Sequence, residues 1–349
     1  MKLDKAEIIE LLGKRGIHQD SLFEKSRKIK VENVTNKVFF RGLIEFSNRC
    51  SKDCLYCGIR KNNKKVVRYN VSDDEILDAC RFAWEKGFGS VVLQSGELTS
   101  KTFVNRVDRL LNQIKKFSNN ELGITLSCGE QTKETYKRWF ESGAHRYLLR
   151  IESSNRELYY KIHPENKIHS FENRIESLYY LKETGYQTGT GVMIGLPFQT
   201  MEDLAEDLLF FKRMDIDMCG MGPYIEHENT PLFQYRDLLK TKKERFELTL
   251  NMIAILRLLM PDINIAAATA LEAIDPLGRE KALAAGANII MPNITPHKYL
   301  ENYLLYENKP IRGEDKNQSI SELEERLKNS GHEIGYNSWG DSKHFKTRV

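Results

Sequence analysis

Apolar residues follow two alternating rhythms along the chain. Short runs rich in β-branched and aromatic residues recur near 38–46, 89–94, 123–127, 145–151, 187–194, 217–222, 263–267 and 288–291. Between them lie segments such as DDEILDACRFAWEKG, KTFVNRVDRLLNQIKKF, KETYKRWFESG, FENRIESLYYLKETG and MEDLAEDLLFFKRM. These place apolar residues three or four apart, the spacing of one helix face. Several end on a glycine suited to a helix C-terminus. Strand followed by helix, eight times over, predicts an α/β fold, a (β/α)8 TIM barrel. An open doubly wound sheet would instead call for a glycine-rich phosphate turn after the first strand, and a cysteine loop stands there. The pattern predicts a helical extension over 1–36, the barrel over 37–299, and a tail packed on the barrel over 300–349.

Barrels of this kind gather functional residues at the C-terminal ends of their strands. The chemically suggestive residues fall at those positions. Cys50 to Cys57 follow the first predicted strand, Gln94-Ser95-Gly96-Glu97 the second, and Ser127-Cys128-Gly129-Glu130 the third. Arg150 to Ser153 close the fourth, Thr190 to Gly195 the fifth, Gly220 to Pro223 the sixth, Ala268 to Ala270 the seventh, and Met291 to Asn293 the eighth.

The first loop carries the most specific chemistry. Cys50, Cys54 and Cys57 stand at CxxxCxxC spacing. Iron–sulfur cubes are ordinarily gripped by four cysteines, so a triad leaves one iron of a 4Fe–4S cluster open. The usual occupant of that position is S-adenosylmethionine (SAM), whose amino and carboxylate groups chelate the iron. One electron then breaks the bond from sulfur to the ribose carbon and releases a 5′-deoxyadenosyl radical. A zinc knuckle needs a fourth ligand, and no other Cys or His lies close to the triad. Cys80, Cys128 and Cys219 stand singly in apolar contexts, as core residues do. Tyr56, before the last cysteine, fits the same pattern.

Charge and composition narrow the setting. Over 349 residues, 53 basic and 49 acidic side chains give +4, evenly scattered, which argues against nucleic acid. No apolar run approaches the ~18 residues of a membrane span, and the N-terminus lacks a signal peptide's apolar core. A cytoplasmic, reducing location follows, with protection from oxygen for the cluster.

Ser95-Gly96-Glu97 resembles the GGE-type motif of radical SAM enzymes, in which backbone and acid receive the SAM ammonium. Arg150 and Glu152, two apart on the predicted fourth strand, point to one barrel face. Arg174, at a helix start, suits a carboxylate in bidentate fashion. Together, IEFSNRCSKDCLYCGIRKNN, VVLQSGE, LSCGE, RYLLRIESSN, SFENR, TGTGVMIGLPFQT, GMGPYIEHENTPL and GANIIMPNITP resemble the HydE family, radical SAM maturases of FeFe-hydrogenase. The resemblance spans roughly residues 36–310. It implies a barrel with an internal cavity, a cluster on Cys50, Cys54 and Cys57, and SAM held by Glu97, Glu152 on the ribose side and Arg174 at the carboxylate. Tyr56, Gln94, Ser95, Gly96 and Ser127 join the cofactor side. Arg150, Thr269, Tyr303 and Tyr306 would line the substrate cavity. The implied substrate is an iron–carbonyl–cyanide–cysteine complex made by HydG. Its product would pass to the HydF scaffold, and a ferredoxin or flavodoxin would supply electrons.

The chain departs from the family at three places. Its tail, KPIRGEDKNQSISELEERLKNSG, lacks the cysteines of an auxiliary cluster, so one cluster is expected. Ile151 replaces a histidine between Arg and Glu, and Ala267-Ala268-Thr269 replaces a threonine pair. Competing readings are a methylornithine-synthase-like mutase acting on an amino acid, a HydE paralogue with another small substrate, biotin-synthase-like sulfur insertion, and a non-catalytic cluster carrier. Insertion requires a second cluster that the cysteines do not provide. A carrier has no use for Glu97, Glu152 and Arg174.

Overall fold

The strands are β1 (Lys37–Ser47), β2 (Ser90–Ser95), β3 (Gly123–Ser127), β4 (Arg146–Leu148), β5 (Gln187–Thr190), β6 (Met193–Ile194), β7 (Met218–Cys219), β8 (Gly222–Pro223), β9 (Asn264–Ile265), β10 (Ile289–Ile290) and β11 (Glu333–Ile334). This is a computed structural model that describes residues 3–311 and 313–348. Parallel pairing runs β10–β1–β2–β3–β4–β5–β7–β9. A parallel bridge between Ala266 and Ile289 closes the ring. There Asn288 N donates to Ile265 O at 2.9 Å and Ala267 N to Ile289 O at 2.9 Å. Eight parallel strands thus form the expected barrel, while the short pair β6–β8 extends two of its staves upward. β1 is buried along nearly its whole length, as strands covered on both faces are.

Helices α1 (Lys5–Leu12) and α2 (Ile17–Val34) precede the barrel. Around it lie α3 (Asp73–Glu85), α4 (Lys101–Phe117), α5 (Lys133–Glu141), α6 (Arg156–Ile162), α7 (Phe171–Thr184), α8 (Met201–Met214), α9 (Lys242–Leu259), α10 (Thr269–Glu272) and α11 (Gly278–Ala285). Their starts are chemically marked. Ser72 and Glu75 form a capping box at α3, Thr200 and Asp203 at α8, and Thr241 and Glu244 at α9. Ser170 caps α7 by accepting from Asn173 N. Each cap satisfies N–H groups that the helix leaves without partners. After the barrel come α12 (Lys316–Asn329) and α13 (Lys343–Lys346).

The last residues close the floor. β11 joins β1 at Lys37–Glu333 and Val38–Ile334. Arg146, fully buried, donates to Trp339 O at 2.8 Å and to Asp341 Oδ1 at 2.6 Å. Arg41 and Asn264 both donate to Gly340 O, at 3.2 and 2.8 Å. The floor is polar, and these contacts tie the tail to it, while Arg41 Nε, Arg146 Nη2 and Ser342 Oγ are buried there without a hydrogen-bond partner.

The fourth strand differs from expectation. It ends at Leu148, so Arg150 and Glu152 lie beyond it rather than on it. The backbone turns there: Glu152 takes φ 66° and keeps one parallel bridge, to Val192.

Candidate functional site

The cysteine loop is held from several sides. Asp53 N donates to His169 Nε2 at 2.8 Å, and Leu55 N donates to Ile162 O at 3.0 Å. Arg68 Nη1 binds the carbonyls of Asn48 and Ile59, both at 2.7 Å. Gly58 N donates to Leu305 O at 2.9 Å, which ties the loop to the segment after the barrel. Tyr56 Oη lies 3.2 Å from His163 Nε2.

The loop after β2 packs on that cysteine loop. Ser51 N donates to Glu97 O at 2.8 Å, and Glu97 N donates to Cys50 Sγ at 3.3 Å. A Cβ on Gly96 would stand 2.4 Å from Arg49 O and 2.8 Å from Cys50 Cβ. Glycine is therefore what allows the two loops to meet. Gly129 works likewise after β3: its φ is 75°, and a Cβ there would strike the Glu97 side chain at 2.3 Å. Glu130 N then donates to Glu97 Oε2 at 3.0 Å.

Four buried or nearly buried charges meet here. Lys52 Nζ lies 3.1 Å from Glu97 Oε1 and 3.0 Å from Glu130 Oε2. Arg174 pairs closely with Glu130 Oε1, donates to Arg150 O at 2.7 Å, and stands 3.7 Å from Glu97 Oε2. Two cations and two anions make the group neutral, which makes its burial tolerable. Burial and then the neighbouring Glu130 push the Glu97 carboxyl up. Burial acts the same way on Glu130, but Arg174 and Lys52 outweigh it and hold that carboxyl down. Lys52 does not stand out in the sequence, where it looks like an ordinary solvated charge, and Glu130 is marked there only by its place after the third strand, with no role of its own.

A cavity of about 330 Å³ opens above the barrel. Every candidate residue lines it: Cys50, Cys54, Tyr56 and Cys57; Gln94, Ser95, Gly96 and Glu97; Ser127, Arg150, Glu152 and Arg174; and Thr269, Tyr303 and Tyr306. Arg150 Nη2 lies 2.9 Å from Glu152 Oε2 and donates to Val192 O at 2.8 Å. Gln94 Nε2 donates to Tyr303 Oη at 3.3 Å, and Arg279 Nη2 donates to Thr269 Oγ1 at 3.3 Å. One cavity wall holds a buried pair absent from the sequence reading, Lys309 Nζ to Glu45 Oε1 at 2.5 Å. Ala268 lines the cavity, so that departure alters its wall. Ile151 does not: it is fully buried outside the cavity, with its N–H on Thr190 Oγ1 at 3.1 Å.

The three thiols suit a cluster rather than a lone ion. Among the described residues no three His, Cys, Asp or Glu side chains converge as a single ion requires. A cube instead takes thiolates spread around it. Burial pushes all three thiols up, with Cys54 reaching about 12, and each neighbouring thiolate opposes the next. Such a set ionises against a cationic partner, and iron supplies that charge. Cys80, Cys128 and Cys219 are free and buried away from the loop.

Comparison with known proteins agrees with this geometry. Residues 44–211 match the family model described as Radical SAM superfamily. The chain is 46% identical over 295 residues to the [FeFe] hydrogenase maturase subunit HydE of Thermotoga maritima, covering 84% of this chain and 81% of that protein. It is 30% identical to 3-methylornithine synthase of Methanosarcina acetivorans, over 90% of this chain and 85% of the relative. The crystal structure of methylornithine synthase (PylB) superposes with a TM-score of 0.82 at 26% identity, covering 97% and 95% of the two chains.

Proposed function

The chain belongs to the HydE family of the radical SAM superfamily, and from that premise we propose that it serves FeFe-hydrogenase maturation by acting on a sulfur-containing iron–carbonyl–cyanide–cysteine precursor of the diiron subsite. The observation that carries the reading is the single cavity lined by the three cysteines, the Glu97–Arg174 side and the Arg150–Thr269 side. When bound, a 4Fe–4S cluster and SAM supply the 5′-deoxyadenosyl radical.

The chain's own residues divide that cavity. Cys50, Cys54 and Cys57 would hold the cluster. Glu97 would receive the ammonium of SAM, Arg174 its carboxylate, and Glu152 the ribose. Arg150 stands two residues from Glu152 in the cavity wall and offers a guanidinium to the substrate's anionic groups. Thr269, Tyr303 and Tyr306 add hydroxyls to the same cavity. The segment carrying Tyr303 to Pro310 lines the cavity as well, so it would exclude water from the radical. A ferredoxin or flavodoxin would provide the electron, and HydG and HydF would precede and follow the step, in the cytoplasm. Among the described residues no helix is long and apolar enough to cross a membrane.

A maturation mixture with HydG, HydF and apo-hydrogenase but without HydE tests the reading. Adding the reconstituted chain should restore hydrogen evolution, and a Cys54→Ala form should not. No restoration by a chain that cleaves SAM would overturn it. The methylornithine-synthase likeness supports a second reading, an amino-acid mutase in the same barrel. That reading predicts isomerised lysine from the reduced, reconstituted chain with SAM and lysine, without HydG, HydF or hydrogenase.

A further inference from the structure

The neutral quartet of Lys52, Glu97, Glu130 and Arg174 is not evenly knit. Lys52 bridges both carboxylates at 3.0–3.1 Å. Glu130 grips Arg174 through Nε, and its own N–H grips Glu97 at 3.0 Å. The loose contact is Arg174 Nη2 to Glu97 Oε2, at 3.7 Å. Those two residues line the cavity together with Lys52 and the cysteines, whereas Glu130 does not line it. Lys52 is also fastened outside the quartet. Lys52 Nζ also donates to Ile168 O, and its backbone lies between two of the cysteines. Arg174 gives its Nη1 to Arg150 O at 2.7 Å, so Nη2 is the edge turned toward Glu97.

The methionine end of SAM, which would ligate the open iron through its amino nitrogen and carboxylate, still has amino N–H groups and carboxylate oxygens to set against an acid and a guanidinium. We propose that Lys52 and Glu130 are positioning residues that hold Glu97 and Arg174 as the two jaws of a clamp on that amino-acid end, opened where Arg174 meets Glu97. The amino N–H groups meet Glu97, which Lys52 and the Glu130 N–H keep in place. The carboxylate meets Arg174, whose guanidinium Glu130 aims. Lys52 stands inside the cysteine loop, so closure of that loop on its cluster also sets the clamp. The proposal rests on the reading that SAM is the cofactor, and it adds two residues to that reading.

The test is affinity, not turnover. SAM and decarboxylated SAM, which lacks the carboxylate, are titrated into the reconstituted chain by equilibrium dialysis. Glu130→Gln should weaken SAM by about tenfold or more while leaving decarboxylated SAM within about twofold, because only one ligand uses the aimed guanidinium. Glu130→Asp, which keeps the charge, should recover part of the loss. Lys52→Met should keep its iron content, since the thiolates are intact, and weaken both ligands. Equal loss of both ligands in Glu130→Gln, or undiminished SAM binding in Lys52→Met, would overturn the clamp. A wild-type chain that binds neither ligand would overturn the SAM reading together with it.

Discussion

Single residues carry a division of labour that kinetics can separate. Glu152 and Arg174 are proposed to hold SAM, so Glu152→Gln or Arg174→Ala should slow even uncoupled 5′-deoxyadenosine formation. A misplaced sulfonium costs about a hundredfold in rate. Thr269 is proposed to face the substrate, so Thr269→Val should leave that uncoupled reaction nearly unchanged while abolishing product. Arg150→Ala should behave like Thr269→Val, with one complication. Its guanidinium lies 2.9 Å from the Glu152 carboxylate, so the two residues are coupled and a double-mutant comparison is needed to part them. Chromatographic assay of 5′-deoxyadenosine with and without substrate reads all of these. Loss of uncoupled cleavage in Thr269→Val, with the cluster intact, would move Thr269 to the cofactor side.

At the scale of elements, the tail and barrel floor form one polar joint. Arg146 is wholly buried and pairs with Asp341, so Asp341→Asn leaves that guanidinium short of its counter-charge and should cost about 3 kcal/mol near neutral pH. Burial raises the Asp341 carboxyl, yet the His145 hydrogen bond and the Arg146 charge together hold it well below the usual carboxylate range. A carboxyl depressed in the folded state contributes fully above its unfolded value, near 4, and loses that contribution as pH falls through the folded value. Denaturant titrations should therefore show wild type and Asp341→Asn converging below about pH 4. A gap that widens on acidification would contradict the pairing.

The same elements show what could be read in advance. Strands covered on both faces announce themselves as apolar runs, and β1, β2 and β3 lie within a residue of where the pattern put them. β4 was read too long, to residue 151, because Leu149 and Ile151 are apolar for core packing while the backbone already turns toward the cavity. α9 was not singled out among the helices. Fourteen of its eighteen residues are buried, so no polar face remained to mark the period. Among site residues, the cysteines and the Ser-Gly-Glu turn were legible from spacing. Lys52 was not, and Glu130 was marked by position alone, because the quartet assembles from loops and a helix far apart in the chain.

Taken whole, the described residues bring one set of three cysteines to a cavity. Three cysteines line the cavity and the other three are buried singly, so anaerobic reconstitution should yield about four irons per chain. Serine at Cys80, Cys128 or Cys219 should leave that content unchanged, whereas alanine at Cys50, Cys54 or Cys57 should abolish the visible absorbance. A content near eight irons, reduced by changing one of the buried cysteines, would show a second site. The central claim is that a three-thiolate grip leaves one iron for SAM beside the Glu97–Arg174 jaws. Its most direct measurement is 5′-deoxyadenosine formed when the reconstituted chain is reduced with dithionite in the presence of SAM. The account predicts stoichiometric or greater formation by wild type and none by Cys54→Ala. An intact four-iron cluster that leaves SAM uncleaved would contradict it and make the chain a carrier.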